Sequence, residues 1–170
     1  MLWNHRWSHD KGLERAVMSL RTLAAEGIEF GVVVAGQDDH HDPHRGDALL
    51  EPIADRIVWK GWLAPEDYRR LLVRADVVVA CPLQENFGIS VVEAVAAGCV
   101  PAVPDAMSFP ETIDDPALRY AEGRLTTRLR EVLTDLDHHR AVTEPCRRRL
   151  ARFDWPCVAA EYDSAVEDML

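Results

Sequence analysis

The chain has 170 residues, 48% of them hydrophobic, so it can bury a full core and is not expected to be disordered. Its net charge of −10 argues against a broad basic face that would grip a nucleic-acid backbone. It excludes neither a local pocket with two cations for a diphosphate nor a polyanionic substrate held mainly by another domain.

In chain order, Leu2 and Trp3 read as a short strand. Leu13, Ala16, Val17, Leu20 and Leu23 recur at helical spacing, which predicts a helix over residues 12–26 stopped by Gly27. Residues 30–35 (FGVVVA) form an apolar, β-branched run that fits a parallel strand covered on both faces. Residues 37–46 read as a polar loop, 48–54 as a short helix and 57–60 as a strand. Residues 65–74 read as a helix with Pro65 in its first turn. A second buried strand follows at 76–81 (DVVVAC), then a helix at 89–97 stopped by Gly98, and a strand at 100–103. Residues 118–120 suit a last strand, and 125–136, 141–152 and 157–169 read as amphipathic helices.

Strand and helix alternate, so the expected fold is α/β, a doubly wound parallel sheet of Rossmann-like type with a helical tail over residues 121–170 packing on it. One domain over 1–170 is expected. The longest uncharged stretch, 94–104, is broken by Gly98, Pro101 and Pro104, and no apolar run reaches the roughly 18 residues of a membrane span. The amino terminus lacks a signal-peptide layout, and Cys81, Cys99, Cys146 and Cys157 form no Cys-x-x-Cys pair. A cytoplasmic protein without membrane insertion is the expectation. Scattered cysteines do not suit zinc.

In such sheets ligands bind beyond the carboxyl ends of the strands. Three segments lie there. After the second buried strand comes Glu85-Asn86-Phe87-Gly88-Ile89-Ser90-Val91-Val92-Glu93. Gly88 lets a ligand approach the backbone, and the first amides of the helix at Ile89 favour an anion such as a diphosphate. Glu93, one turn on, could accept two hydroxyls of a diol, and Glu85 hydroxyls of a sugar. Each glutamate taken singly also reads as a solvated surface residue, though Glu93 among Val91, Val92, Ala94 and Val95 needs a partner. After the first strand, Arg6 and Lys11 bracket a loop entering a helix, suited to phosphate or simply to solvent. His5 and His9 in this loop read as packing or loop residues rather than as acid/base groups. In the third segment, Val58 to Leu63, backbone groups beside apolar side chains can hold a planar base, with Trp62 itself read as structural.

Two clusters read as incidental. His40, His41, Asp42 and His44 sit in a polar loop that lacks a rigid scaffold for metal. Arg147, Arg148, Arg149 and Arg152 read as a solvated face or as contacts to a neighbouring domain.

Taken together, these segments resemble the carboxyl-terminal, donor-binding half of retaining GT-B glycosyltransferases of family 4, the glycosyl transferases group 1. That family carries a Glu-x7-Glu signature, here Glu85 to Glu93 within ENFGISVVEAVAAGCVP. The opening HRW…DK and the stretch CVPAVPDAMSFPE are similar to the queuosine-tRNA mannosyltransferase group, also called the glycosyltransferase-like domain-containing 1 group. The resemblance covers about residues 1–120.

It implies a nucleotide-sugar donor, GDP-mannose favoured, for hexosyl transfer, with queuosine in tRNA as the acceptor of the closer group. It implies Arg6, Lys11 and Glu85 as catalytic residues. Donor binding would fall to Arg6, Lys11, Leu63, Glu85, Asn86, Phe87, Gly88, Ile89 and Glu93. No cofactor is implied, and no metal, because Arg6 and Lys11 would carry the electrostatic work. A GT-B enzyme needs two Rossmann-like domains, about 350 residues on ordinary domain sizes. The amino-terminal acceptor domain would then be absent here and supplied in cis or in trans, with tRNA reached only through it, and this chain alone would be inactive. A non-catalytic nucleotide- or protein-binding half-transferase module is the alternative. A nicotinamide-dependent enzyme would want Gly-x-Gly-x-x-Gly after the first strand, and residues 4–12 offer none.

Overall fold

The computed structural model describes residues 1–36 and 43–169, and the side chains of 1–36 and 47–169. Among these, β1 (Leu2–Asn4), β2 (Val32–Ala35), β3 (Ile57–Gly61), β4 (Val77–Val79), β5 (Val100–Pro104) and β6 (Arg119–Tyr120) form one sheet. All its pairings are parallel, in the order β3-β2-β1-β4-β5-β6. The chain runs outward from β1 to β3, then returns to β4 beside β1 and runs the other way. The winding reverses between β1 and β4, and their carboxyl ends open on a crevice there.

The helices are α1 (Leu13–Ala25), α2 (Pro43–Leu50), α3 (Pro65–Leu72), α4 (Ile89–Ala96), α5 (Phe109–Thr112), α6 (Leu125–Thr134), α7 (Leu136–Arg149) and α8 (Trp155–Glu167). The pleat sends alternate strand residues to opposite faces. Trp3, Val32, Val34, Val77 and Val79 meet Leu20 of α1 and Leu129 of α6 on one side. Leu2, Val33 and Val78 meet Val91 and Val95 of α4 and Cys146 of α7 on the other. Burying an aliphatic side chain of this kind contributes about 1.5–3 kcal/mol. The doubly wound sheet expected from the β-branched runs is thus present, with both faces covered.

Several boundaries differ for physical reasons. The chain is already helical from Pro43, inside the expected loop, and the α-helix stops at Leu50 because Pro52 has no amide proton to continue it; a 3-10 helix (Glu51–Arg56) follows. The expected start of a tail helix at residue 141 gives way to Leu136, where Asp135 accepts from the His138 amide at 3.2 Å, and the helix carries Pro145 in its interior. The short helix α5 has no counterpart in the sequence reading. Of the tail, α6 and α7 bury Leu125, Leu129, Val132 and Cys146, whereas α8 buries no residue.

The basic run is a correction. Arg148 does face solvent, its side chain 72% exposed and paired among the described residues only with Glu144 of its own helix, but the other three are held by groups within this domain. Arg149 makes two 2.7 Å bonds to Asp114, Arg147 Nε donates to Ala96 O at 3.0 Å, and Arg152 donates to Glu111 O at 2.5 Å. They tie α7 and the turn after it to α4 and α5. His40, His41 and Asp42 lie outside the described residues, as does the side chain of His44. The four cysteines are unpaired, three buried and Cys157 exposed. Among the described residues no helix is long and apolar enough to cross a membrane, and no group of three His, Cys, Asp or Glu could hold a metal ion.

Candidate functional site

The loops after β1 and β4 meet at the reversal point. Gly12 joins them most tightly: at φ 72° it would place a Cβ 2.1 Å from Cys81 O, so only glycine fits. Cys81 Sγ in turn donates to Gly12 O at 3.1 Å, and Leu83 N to Asp10 O at 2.7 Å. These contacts bring Lys11 onto the segment carrying Glu85.

Lys11 Nζ lies 3.1 Å from Glu85 Oε2 and 3.3 Å from Gln84 O, with Asp10 Oδ2 at 3.6 Å. Glu85 Oε1 accepts the amides of Asn86 and Gly88, both at 3.1 Å. Burial works to raise the Glu85 pKa, but Lys11 and the Gly88 amide outweigh it and hold the carboxyl below its ordinary value. Glu85 is therefore a structured anion that shapes the turn into α4. Gly88 caps that helix in the left-handed conformation (φ 84°), and no side chain caps it. The amides of Ile89 and Ser90 form no hydrogen bond among the described residues, so this helix start presents free donors.

Arg6 is exposed and makes no hydrogen bond or ion pair among the described residues. Its neighbour His5 is buried, packs edge-on against Trp3 at 5.1 Å, and lies 3.3 Å from Ser90 Oγ. Burial lowers the His5 pKa to about 4, so the ring is neutral near pH 7 and packs as expected.

Glu93 is exposed on α4, and its partner is Tyr68 of α3, which donates to Oε2 at 3.1 Å. Phe87, Ile89 and Glu93 line an open cleft of about 640 Å³ with Arg147, Leu150 and Phe153. Phe87 meets Phe153 edge-on at 5.1 Å. Asn86 is exposed and Leu63, just beyond β3, half-buried. Trp62, read as structural, is 63% exposed, just past the end of the edge strand β3.

The structure thus joins Lys11 to Glu85, and Glu93 to Phe87 and Ile89, while among the described residues Arg6 makes no hydrogen bond or ion pair with either set. Sequence reasoning missed Asn4, Tyr68, Ser90 and Phe109. Phe109 is fully buried, and its ring would lie 3.0 Å from a Cβ at Gly88, so it packs beneath the motif turn. Its place in CVPAVPDAMSFPE was the only signal available for it.

This crevice, with a bare helix start, a paired lysine and glutamate, and a second glutamate one turn on, is chemically suited to an anionic ligand bearing hydroxyls. The chain belongs to the glycosyl transferases group 1 family, whose profile matches residues 1–144. It is 30% identical over 129 residues to the tRNA-queuosine alpha-mannosyltransferase of Drosophila melanogaster, covering 76% of this chain and 34% of that protein. It is 24% identical over 181 residues to the GDP-mannose:cellobiosyl-diphosphopolyprenol alpha-mannosyltransferase of Xanthomonas oryzae pv. oryzae, covering all of this chain and 47% of that one. The chain therefore spans between a third and a half of the length of these relatives.

Among solved structures, the sucrose-phosphate synthase of Thermosynechococcus elongatus superposes with TM-score 0.85 at 19% identity, over 99% of this chain and 44% of that one. Anabaena HepE in complex with UDP superposes with TM-score 0.83 at 16% identity, over 98% of this chain and 48% of that one. The fold is the Rossmann-like half of a GT-B architecture.

Proposed function

We propose that this chain is the donor-binding domain of a retaining glycosyltransferase that takes a nucleoside diphosphate sugar, GDP-mannose favoured. The observation that carries the reading is the Lys11–Glu85 pair at the start of α4, which no side chain caps, at the reversal point of the sheet. In this reading the diphosphate lies over the Ile89 and Ser90 amides, between Arg6 and Lys11. The ammonium of Lys11 has three protons, so it can keep Glu85 and still donate to a phosphate oxygen. Negative charge grows on the departing phosphate in the transition state, where fixed cations and amides lower the barrier most. Glu85 is assigned to hexose hydroxyls and Glu93 to the ribose diol. Leu63 belongs to the base side, and Asn86, Phe87, Gly88 and Ile89 to the turn against the donor. Arg6 and Lys11 supply the positive charge, so no metal is assigned to this step.

The relatives support the sugar and the acceptor we favour. Two of them are named as mannosyltransferases, one using GDP-mannose and one acting on tRNA-queuosine. Queuosine in tRNA is the acceptor we favour, bound by a further domain in cis or in trans, since those relatives are more than twice as long. The negative charge of this domain supports that division. Unpaired cysteines support a cytoplasmic setting.

Calorimetry with GDP, UDP and ADP tests the donor reading: GDP should bind tightest, and no heat from any of them with folded protein would overturn it. Arg6→Ala should weaken GDP about tenfold or more while leaving guanosine almost unchanged, the loss of one charge-assisted phosphate contact. Equal losses for both ligands would remove Arg6 from the phosphate.

A further inference from the structure

Glu93 does not stand alone on α4. Tyr68 donates to its Oε2 at 3.1 Å, and the Tyr68 oxygen accepts from Asn4 Nδ2 at 2.9 Å. Asn4 Nδ2 also donates to Ser90 O at 2.8 Å. The chemistry fixes the direction of this chain. A backbone carbonyl only accepts, so the amide NH2 of Asn4 must face Ser90, and its second proton goes to the phenol oxygen. The single proton of the phenol is then left for the carboxylate. Burial pushes the Tyr68 pKa up, which keeps that proton in place.

The three side chains come from different parts of the fold. Asn4 ends β1 and is only 7% exposed, Tyr68 lies on α3 beyond β3, and Glu93 on α4 beyond β4. The bonds therefore span the reversal point and anchor an exposed carboxylate to the buried centre of the sheet. Glu93 Oε1 has no hydrogen bond among the described residues, so one oxygen is held and the other is free. An unheld glutamate on a helix surface samples several rotamers, and that freedom is lost on binding. A carboxylate already held by a phenol loses less.

We propose that Tyr68, itself held by Asn4, is a positioning residue that orients Glu93 so that its free oxygen meets the ribose diol of the donor. This rests on the assignment of Glu93 to that diol. It goes further in placing the selectivity for ribose in a side chain outside the Glu85-to-Glu93 motif.

Titration of the full chain with GDP and with 2′,3′-dideoxy-GDP tests it. The unaltered protein should prefer GDP, and Glu93→Ala should abolish the preference. Tyr68→Phe should lower GDP affinity about three- to tenfold, the range of one lost hydrogen bond, and leave dideoxy-GDP within about twofold. In the Glu93→Ala background the same change should add nothing. If Glu93→Ala keeps the preference, the diol assignment falls and the proposal with it; absence of any binding by the unaltered chain does the same. If Glu93→Ala loses the preference and Tyr68→Phe keeps it, the proposal alone is overturned. Equal weakening of both ligands by Tyr68→Phe would mark a merely structural tyrosine and also overturn it. Tyr68→Met, which likewise lacks the hydroxyl, is read in the same way should the phenylalanine variant not fold.

Discussion

The crevice beyond β1 and β4 and the final helix α8 both expose large apolar side chains, yet they are anchored very differently. Ile89 is 64% exposed on α4, whose opposite side buries Val91, Ala94 and Val95 completely. That helix is also held by polar contacts at both ends of the motif, Glu85 to Lys11 and Glu93 to Tyr68. Trp155 is 76% exposed on α8, which buries nothing. Exposure alone therefore says little about a site. What distinguishes α4 is a surface held rigid from behind, the condition for preorganised donors and acceptors.

The sharpest way to break this comparison is a pair of glycines with nearly the same φ. Gly12 in the crevice and Gly123 before α6 have φ of 72° and 74°, but a Cβ at Gly123 would meet nothing within 4 Å. Gly123→Ala should cost only the left-handed strain, about 1–2 kcal/mol. Gly12→Ala adds collision with the Cys81 carbonyl and should cost more than about 3 kcal/mol. Urea unfolding of the two variants checks this, and equal losses would show that the two loops are not wedged together.

Next comes the buried histidine of the crevice. His5 falls from its ordinary 6.5 to about 4 in the folded protein because burial disfavours the charged ring. Between those values the unfolded chain binds the proton and the folded one does not, so stability rises with pH across that window. About 3 kcal/mol should be lost as the pH falls from 6.5 to 4. His5→Gln should flatten this part of the profile. His139, also lowered by burial, acts in both proteins and cancels in the comparison. A slope unchanged in the variant would remove His5 as its source.

The smallest effect is expected at the other pole. Removing residues 155–170 takes away no buried side chain of α8, so thermal or urea unfolding should shift by less than about 1 kcal/mol. A larger loss would mean that α8 shares in the core after all.

Much of the site was legible because it is local. Glu85, Gly88 and Glu93 lie within one loop and one helical turn, and strand ends are where a parallel sheet binds ligands. Lys11 followed from its place at the end of the first such loop. Tyr68 was not legible, since it sits on an exposed helix between Asp67 and Arg69 and looks like any solvated residue. The basic run misled in part for the same reason: charged residues look alike whether their partners are water or groups on neighbouring elements.

By itself the sequence determined the parallel sheet and its covering helices. Its β-branched runs are apolar on both faces, and its helices carry one apolar stripe, patterns that only a doubly covered sheet can bury. Only the tertiary structure decided that Tyr68 meets Glu93, that Arg149 pairs with Asp114, and that α8 stays uncovered. Those outcomes join residues 25 and 35 positions apart, or depend on what lies beside a helix, and no local pattern encodes them. The crevice belongs to both accounts: the chain supplied its charges, and the reversal of winding between β1 and β4 brought them together.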